Sequence, residues 1–451
     1  MATVAVLGGG IAGLTAAYHL ERAGVDVEVL ERRHTPGGMI QSSSSGGYLV
    51  EHGPSTIRES TPALEQMIDD LGLRESVVEA SDKANKRFIV RDGKPVPLPS
   101  SPASFLTTRA FSIPGKIRLL MELLVEQQSN SKDESVAAFV RRRFGREALE
   151  FGADPMVAGI FSGNPDNLSV AHAFPTLPEM ENNYGSVIKA LLAGKGATKR
   201  KPRYRIFNFQ NGMQQLISAL VEQVGDVRLD TRVVGITRED RRWTVEVEEG
   251  FERTPDRLRV DGVISTLPLH KHRELSSTPL DAAPALRSVS HPPLLVIALG
   301  YPRRNVDHKL DGFGMLVPRV ESGVKILGTI FTSTLFPNRA PEDHVLLTSM
   351  VGGARRPALT QQSLHEARDV VERDLRKLLG VRGEPMLMHY TSWTRGIPQY
   401  NVGYGAVKRA LEQVEQTNPG FTLAGNYRQG ISVPDTMQSG RLAAERLLAQ
   451  L

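Results

Sequence analysis

The chain of 451 residues exceeds the size of one ordinary domain, so two or three packed units around a substantial core are expected. Hydrophobic residues make up 40% and charged residues 23%, values that exclude a disordered, collagenous or fully membrane-embedded chain. Cysteine is absent, which rules out disulfides, thiolate metal sites, iron–sulfur clusters and thioether-linked cofactors, and 55 basic against 50 acidic residues is too even a balance for a nucleic-acid binder.

Met1 is followed at once by an apolar run and glycines, without a basic leader or cleavage site, so no targeting segment and a cytoplasmic location are expected. Thr3 to Leu7 predicts a strand, Ile11 to Ala23 a helix, and Val25 to Leu30 a second strand that ends at Glu31, which together make one βαβ unit. Phe105 to Ala193 carries helical periodicity and includes the run Arg141-Arg142-Arg143. Lys195 to Arg205 then holds six basic residues and no acid, a candidate for anionic lipid headgroups if it is not simply a solvated loop. After Gly212 the nucleotide-domain character returns: a helix to Val224, strands at Val227 to Leu229 and Val233 to Thr237, a hairpin strand around Trp243, and Val260 to Leu267. The uncharged-looking stretch Ser288 to Pro302 is too short to span a bilayer and is broken by prolines and Gly300, so any membrane contact is expected to be peripheral. Leu294 to Met350 alternates strand-like runs with Gly and Pro, predicting a mixed or antiparallel sheet. A helix over Gln362 to Leu379, a strand at Thr422 to Ala424, a Gly-rich turn and a helix over about Thr436 to Ala449 complete the chain.

Gly8-Gly9-Gly10-Ile11-Ala12-Gly13 satisfies G-x-G-x-x-G between a strand and a helix. Gly8 permits the tight turn, Gly10 lets backbone approach a pyrophosphate, Gly13 lets helix and strand pack closely, and Glu31 is placed to accept hydrogen bonds from a ribose. The phosphates would rest at the positive end of the helix. Pro36-Gly37-Gly38-Met39 adds a second turn beside the ribose. Leu423-Ala424-Gly425-Asn426 brings a loop and a helix start to the redox ring, so the additions favour FAD over NAD. His270 and His272 form H-x-H without further ligands, and no metal site is expected.

The fingerprint with Glu31, the Gly37-Gly38 pair, Gly53-Pro54-Ser55, Gly312-Phe313-Gly314-Met315-Leu316-Val317-Pro318, Val351-Gly352-Gly353, Ile397-Pro398-Gln399-Tyr400 and the Gly425 segment run in the order seen in protoporphyrinogen oxidases, and the chain resembles that family from end to end. The resemblance implies an α/β fold: a Rossmann-like FAD-binding domain (1–80, 205–290 and 385–451), a mixed-sheet substrate domain (81–99 and 291–384), and a helical insertion (100–204) that could face a membrane. It implies non-covalent FAD held by Gly8, Gly10, Ile11, Ala12, Gly13, Glu31, Arg32, Gly37, Gly38, Met39, Gly53, Pro54, Ser55, Val233, Trp393, Gly425, Asn426 and Val433. It assigns a porphyrinogen to Arg87, Phe313, Gly314, Leu316, Ile330 and Met350, with Arg87 at the propionate-binding position and Gly314 and Arg87 as the catalytic pair. Molecular oxygen would take the electrons and form hydrogen peroxide, and a homodimer is a further expectation. Thr35 and Met39 depart from the basic residues usual beside the Gly pair, and Gly430 to Thr436 lacks the Cys many members carry. Coproporphyrinogen III is the alternative substrate. A flavin amine oxidase, which needs paired aromatics of which only Tyr427 is evident, and a non-catalytic flavin scaffold are the rival classes.

Overall fold

The computed structural model describes residues 2–128, 133–194 and 203–451, and residues 195–202, most of the basic run, lie outside the described residues. Five parallel strands form the nucleotide-type sheet, in the order Asp226–Arg228, Asp26–Leu30, Thr3–Leu7, Gly262–Ser265, Phe421–Leu423. All five run parallel, so both faces need cover, and the helices Ile11–Arg22, Gln214–Gln223 and Val433–Leu448 supply apolar residues for one of them. The helix Ile11–Arg22 and the final helix meet closely because Gly440 has no side chain: a Cβ there would lie 2.2 Å from the Ala12 carbonyl oxygen. That contact brings the start of the final helix beside the glycine turn. Ser432 caps this helix by accepting from the Asp435 N–H, with Pro434 in its first turn, so it begins at Val433 rather than near Thr436.

A three-stranded antiparallel sheet, Thr231–Glu239, Arg242–Glu249 and Thr254–Val260, lies between the third and fourth strands of the parallel sheet in sequence. The larger sheet has seven strands, ordered Leu387–Trp393, Leu294–Pro302, His344–Gly352, Gly328–Phe331, Gly314–Leu316, Arg87–Arg91, Lys94–Pro97. Only the pair Gly314–Leu316 and Arg87–Arg91 is parallel. Leu295, Ile297, Leu299 and Tyr301 pack on one face against the helix Leu364–Leu379, whereas Leu294 and Val296 point to the other face. The alternation is simple period-two side-chain geometry, and it decides which residues can reach the site. Residues 387–393, expected with the nucleotide-binding strands, belong to this sheet instead: they pair with Leu294–Gly300, so the chain leaves the seven-stranded sheet only after Trp393.

The described residues of 100–128 and 133–194 are mainly helical, with Ile113–Leu120, Val136–Phe144, Asp154–Phe161 and Thr176–Tyr184 as main elements. Their interior is tied by Arg143, whose guanidinium donates to the Glu122 carboxylate with both side chains fully buried and lies 3.3 Å from Glu181. Glu122 in turn accepts from the backbone of Val187 and Ile188 and from Ser186 Oγ. No helix among the described residues is long and apolar enough to cross a membrane.

Candidate active site

The strand Thr3–Leu7 ends in a turn whose shape is enforced by contact. A Cβ on Gly13 would sit 2.0 Å from the Gly8 carbonyl oxygen, so no other residue lets the helix start this close to the strand. Gly10 is different. Its φ of −79° suits any residue, and a Cβ there meets nothing within 4 Å. Packing and backbone conformation therefore give no reason for glycine at this position, whereas a ligand lying against the turn does. The Glu31 carboxylate accepts from the N–H of Gly9 and of Arg33, both at 2.9 Å. Gly37 N–H donates to the Gly9 carbonyl at 2.7 Å, which lays the second glycine turn against the first. The helix Ile11–Arg22 has no side-chain cap and no acidic residue in its first turn, so no side chain of its own satisfies its first N–H groups.

The space before this turn is one cavity of about 1470 Å³, larger than the ~300–1,000 Å³ typical of a pocket for a single small ligand. Gly8, Gly10, Ile11, Ala12, Glu31, Arg32, Gly37, Gly38, Met39, Gly53, Pro54, Ser55, Val233, Trp393, Gly425, Asn426 and Val433 all line it. Gly13 does not; its part is the close packing just described. The loop at Gly53-Pro54-Ser55 is held from behind by Glu51 and Asn208. Asn208 Nδ2 donates to the Ser55 carbonyl at 2.8 Å and to Glu51 at 2.9 Å, while Ser42 Oγ and the Met213 N–H also bind Glu51. Burial raises the Glu51 pKa despite these donors. Gly425 is fixed by its N–H donating to Ser439 Oγ at 3.0 Å.

The same cavity continues to Arg87, Phe313, Gly314, Leu316, Ile330 and Met350. Trp393 joins the two ends: its Nε1 donates to the His52 carbonyl at 2.8 Å, Arg33 lies over its ring at 5.8 Å, and it packs in one cluster with Met39, Met350 and Leu294. Arg33, rather than Arg32, is the basic residue tied to the Gly pair, donating to the Gly38 carbonyl at 2.9 Å. Phe313, Leu316, Ile330 and Met350 are half-buried, with surface turned to the cavity. Gly314 pairs with Ile330 and with Arg87, and a Cβ on it would lie 2.3 Å from the Thr329 carbonyl oxygen, so the strands could not approach. Arg87 has no hydrogen-bonded carboxylate among the described residues and stands over the Phe313 ring at 5.6 Å. Arg87 is exposed, yet partial desolvation of its guanidinium and then the nearby charge of Arg58 hold its pKa below the usual guanidinium value.

Sequence reasoning missed three parts of the wall. Arg58 lines the cavity beside Arg87, and Phe151, Met156 and Ile160 reach it from the helical segment. Phe151 lies on a π-type turn, Leu149–Ala153, a geometry that often accompanies functional sites and leaves no periodicity signal. His270 and His291 also line the cavity with rings 4.9 Å apart, and burial pushes His270 down to about 4, so the pair is neutral at pH 7. His272 is a core residue, buried between Ser265 Oγ and Thr278 Oγ1 at 3.0 Å each. Among the described residues no cluster of three or more His, Asp or Glu could hold a metal ion. Tyr427 is buried and its ring pairs with no other aromatic among the described residues, so the paired rings of an amine site are not formed around it. Arg203, in the basic segment, is engaged internally with Asp69 at 3.0 Å.

Comparison with known proteins agrees with this geometry. The family described as flavin containing amine oxidoreductase matches residues 11–448. Protoporphyrinogen oxidase 2 of Arabidopsis thaliana is 34% identical, over 99% of this chain and 94% of its own length. Coproporphyrinogen III oxidase of Bacillus subtilis (strain 168) is 28% identical, over 99% of this chain and 98% of its own. A crystal structure from Exiguobacterium sp. 255-15, provisionally assigned as a protoporphyrinogen oxidase, superposes with a TM-score of 0.85 at 25% identity, covering 100% of this chain and 99% of that one. FAD fits the residues present: the open face at Gly10, the anchored Glu31 carboxylate and the uncapped helix end are what its phosphates and ribose require. The chain belongs to the flavin containing amine oxidoreductases, with FAD as its cofactor, and is similar along its whole length to the porphyrinogen oxidases among them.

Proposed function

We propose that the protein oxidises protoporphyrinogen IX to protoporphyrin IX, with molecular oxygen as the final electron acceptor and hydrogen peroxide as its product. The observation that carries this reading is the continuity of one cavity from the glycine cradle, past Trp393 and Met39, to an apolar wall that ends at an arginine without a carboxylate partner among the described residues. Bound FAD would supply a two-electron acceptor that oxygen reoxidises, and the conversion, a loss of six electrons and six protons, would use it three times, with three molecules of oxygen reduced to hydrogen peroxide.

The chain's own residues hold and orient. Phe313, Leu316, Ile330 and Met350 offer an apolar surface to the macrocycle and exclude water from it. Gly314 leaves a flat patch of wall, and Arg87 anchors a propionate through forked hydrogen bonds. Glu31 and Glu274 are the carboxylates of the lining, the first bound to backbone and the second to Lys271 at 2.6 Å, so neither serves as a base at the ring. Oxidation is driven by aromatic conjugation of the product, which makes a dedicated side-chain base unnecessary. The cofactor unit would comprise residues 1–80, 205–290 and 394–451, and the substrate unit 81–99 and 291–393, an assignment supported by the strand pairing at Trp393.

Peripheral membrane contact is supported by a different feature from the basic run. Ile113, Ile117 and Leu120 stand exposed on one helical face, with Leu106 and Leu124, at 71% and 80% exposure, beside them. The same helix contributes Leu119 to the cavity wall, with Phe111 just before it, which would open the site toward an apolar source of substrate.

The test is direct. Anaerobic addition of protoporphyrinogen IX should bleach the flavin absorbance of the holoprotein, and admitting air should restore it with appearance of porphyrin fluorescence. Coproporphyrinogen III, favoured as an alternative by the Bacillus relative, should give the lower kcat/KM. Oxidation of neither porphyrinogen by flavin-replete protein would refute the proposal.

A further inference from the structure

The cations of the cavity wall are mostly accounted for. Lys271 is paired with Glu274, Arg232 lies 3.9 Å from Glu248, and Arg33 is bound to the Gly38 carbonyl. Arg395 stands by the neutral histidine pair, and Arg32 near Glu274, at the nucleotide end. Arg58 and Arg87 remain at the other end, and neither has a hydrogen-bonded or ion-paired carboxylate among the described residues.

Their placement is not incidental to the sheets. Arg58 belongs to the two-residue strand Ile57–Arg58, where Ile57 is fully buried and alternation turns Arg58 the other way. It pairs with Ile206, while Arg87 pairs with Gly314 next to Phe313. Ile206, Phe313 and Ile330 pack against one small cluster formed by Ala84, Leu335 and Phe336. Two strands from separate sheets thus bring two guanidiniums to one apolar corner, close enough that Arg58 helps to depress the Arg87 pKa. Both arginines are exposed to solvent, and like charges set together repel, so the arrangement favours an anion arriving between them.

We propose that Arg58 and Arg87 form a paired clamp for two carboxylates of one tetrapyrrole, which makes Arg58 a specificity-determining residue. The inference rests on the porphyrinogen reading given above. Protoporphyrinogen IX carries two propionates on neighbouring pyrrole rings, one for each arginine. Coproporphyrinogen III carries two more, and Phe313, Leu316, Ile330 and Met350 offer them no cation. An unpaired buried carboxylate is strongly disfavoured, so the clamp selects the dicarboxylate.

The experiment compares wild type with Arg58→Gln and Arg58→Lys as flavin-loaded proteins, using protoporphyrinogen IX and its dimethyl ester. Binding of protoporphyrin IX and of its dimethyl ester, followed by porphyrin fluorescence, gives a second readout independent of turnover. Arg58→Gln should raise KM for the diacid about tenfold or more with kcat little changed, and weaken diacid binding in parallel. The ester should lose less than twofold, and Arg58→Lys should recover part of the diacid affinity. Unchanged flavin absorbance and melting temperature would establish that the variant is folded. Equal losses for acid and ester, or no loss for either, would overturn the clamp while leaving the proposed activity intact. If Arg58→Gln fails to fold, Arg58→Lys decides: an unchanged acid-to-ester ratio, alongside wild type that binds both equally, overturns it. Wild type that neither oxidises nor binds either tetrapyrrole removes the proposed function and the clamp with it.

Discussion

Gly10 and Gly13 lie three positions apart in one motif, yet the structure gives them different reasons to be glycine, and substitution separates them. A Cβ on Gly10 meets nothing within 4 Å, so Gly10→Val should cost the flavin-free protein no more than the roughly 1 kcal/mol of a poorer N-cap. It should remove FAD, because the added methyls occupy the space through which backbone N–H groups approach phosphate. Each such charge-assisted bond contributes ~1.5–3 kcal/mol, so losing two costs about 3 kcal/mol or more, at least ~100-fold in Kd. At saturating FAD that removes about 2.7 kcal/mol of ligand stabilisation. With ~2.1 cal/mol/K of unfolding entropy per residue over 451 residues, the corresponding loss in Tm is about 3 °C. Gly13→Ala behaves oppositely: its Cβ falls 2.0 Å from the Gly8 oxygen, and overpacking of this kind costs roughly 1–3 kcal/mol in the flavin-free protein as well. Deflavinated proteins melted with and without added FAD, together with flavin fluorescence quenching for Kd, measure both. FAD binding by Gly10→Val within tenfold of wild type, or a flavin-free Tm as low as that of Gly13→Ala, would refute the assignment of Gly10 to the phosphates.

Other perturbations probe other parts. Arg143→Met strands the Glu122 carboxylate, fully buried, and should cost roughly 3–5 kcal/mol in denaturant unfolding; a change below about 1 kcal/mol would show that the helical segment does not depend on this pair. His272 has a folded pKa lowered to about 4 against 6.5 by burial. The stability of its neutral form is therefore complete above pH 6.5 and is lost as pH falls toward 4, a loss of roughly 3 kcal/mol that His272→Asn should flatten in unfolding curves across that range. Ile113→Asp combined with Ile117→Asp should reduce co-sedimentation with lipid vesicles several-fold while kcat/KM in detergent is retained, and unchanged sedimentation would count against the apolar stripe as the attachment face.

The cofactor end was legible because its signal is local. A strand, three glycines, a helix and Glu31 fall within one short stretch, and each glycine constrains backbone by contact or by approach. The helix Tyr404–Thr417 was not anticipated, since its N-cap Gly403 supplies no capping side chain to mark its start. The division of the chain at residue 385 failed at Leu387–Trp393, where the strand signal was present but its partner was not: only pairing with Leu294–Gly300 tells which sheet it joins. Arg58 carried no signal of its own. It follows Gly53-Pro54-Ser55 on a strand of two residues, and its meaning depends on Ile206, nearly 150 positions later (206 − 58 = 148), and on Arg87 in another sheet.

This difference in locality bears on how the site divides its work. The nucleotide end is built largely from one βαβ unit and the final helix, locked together where Gly440 meets Ala12, and a change there disturbs the fold or the cofactor. The substrate end is assembled from short pieces, residues 57–58, 87, 206, 313–316, 330 and 350, supplied by two sheets and joined only in three dimensions. Residues on those pieces point into the cavity from strands whose opposite faces carry the packing, as Arg58 does opposite Ile57. Charge can therefore be added or removed at that corner without altering the cradle. On the proposed reading, the number of tetrapyrrole carboxylates accepted would follow from which cations stand beside the apolar wall free of a carboxylate, and among the described residues Arg58 and Arg87 do.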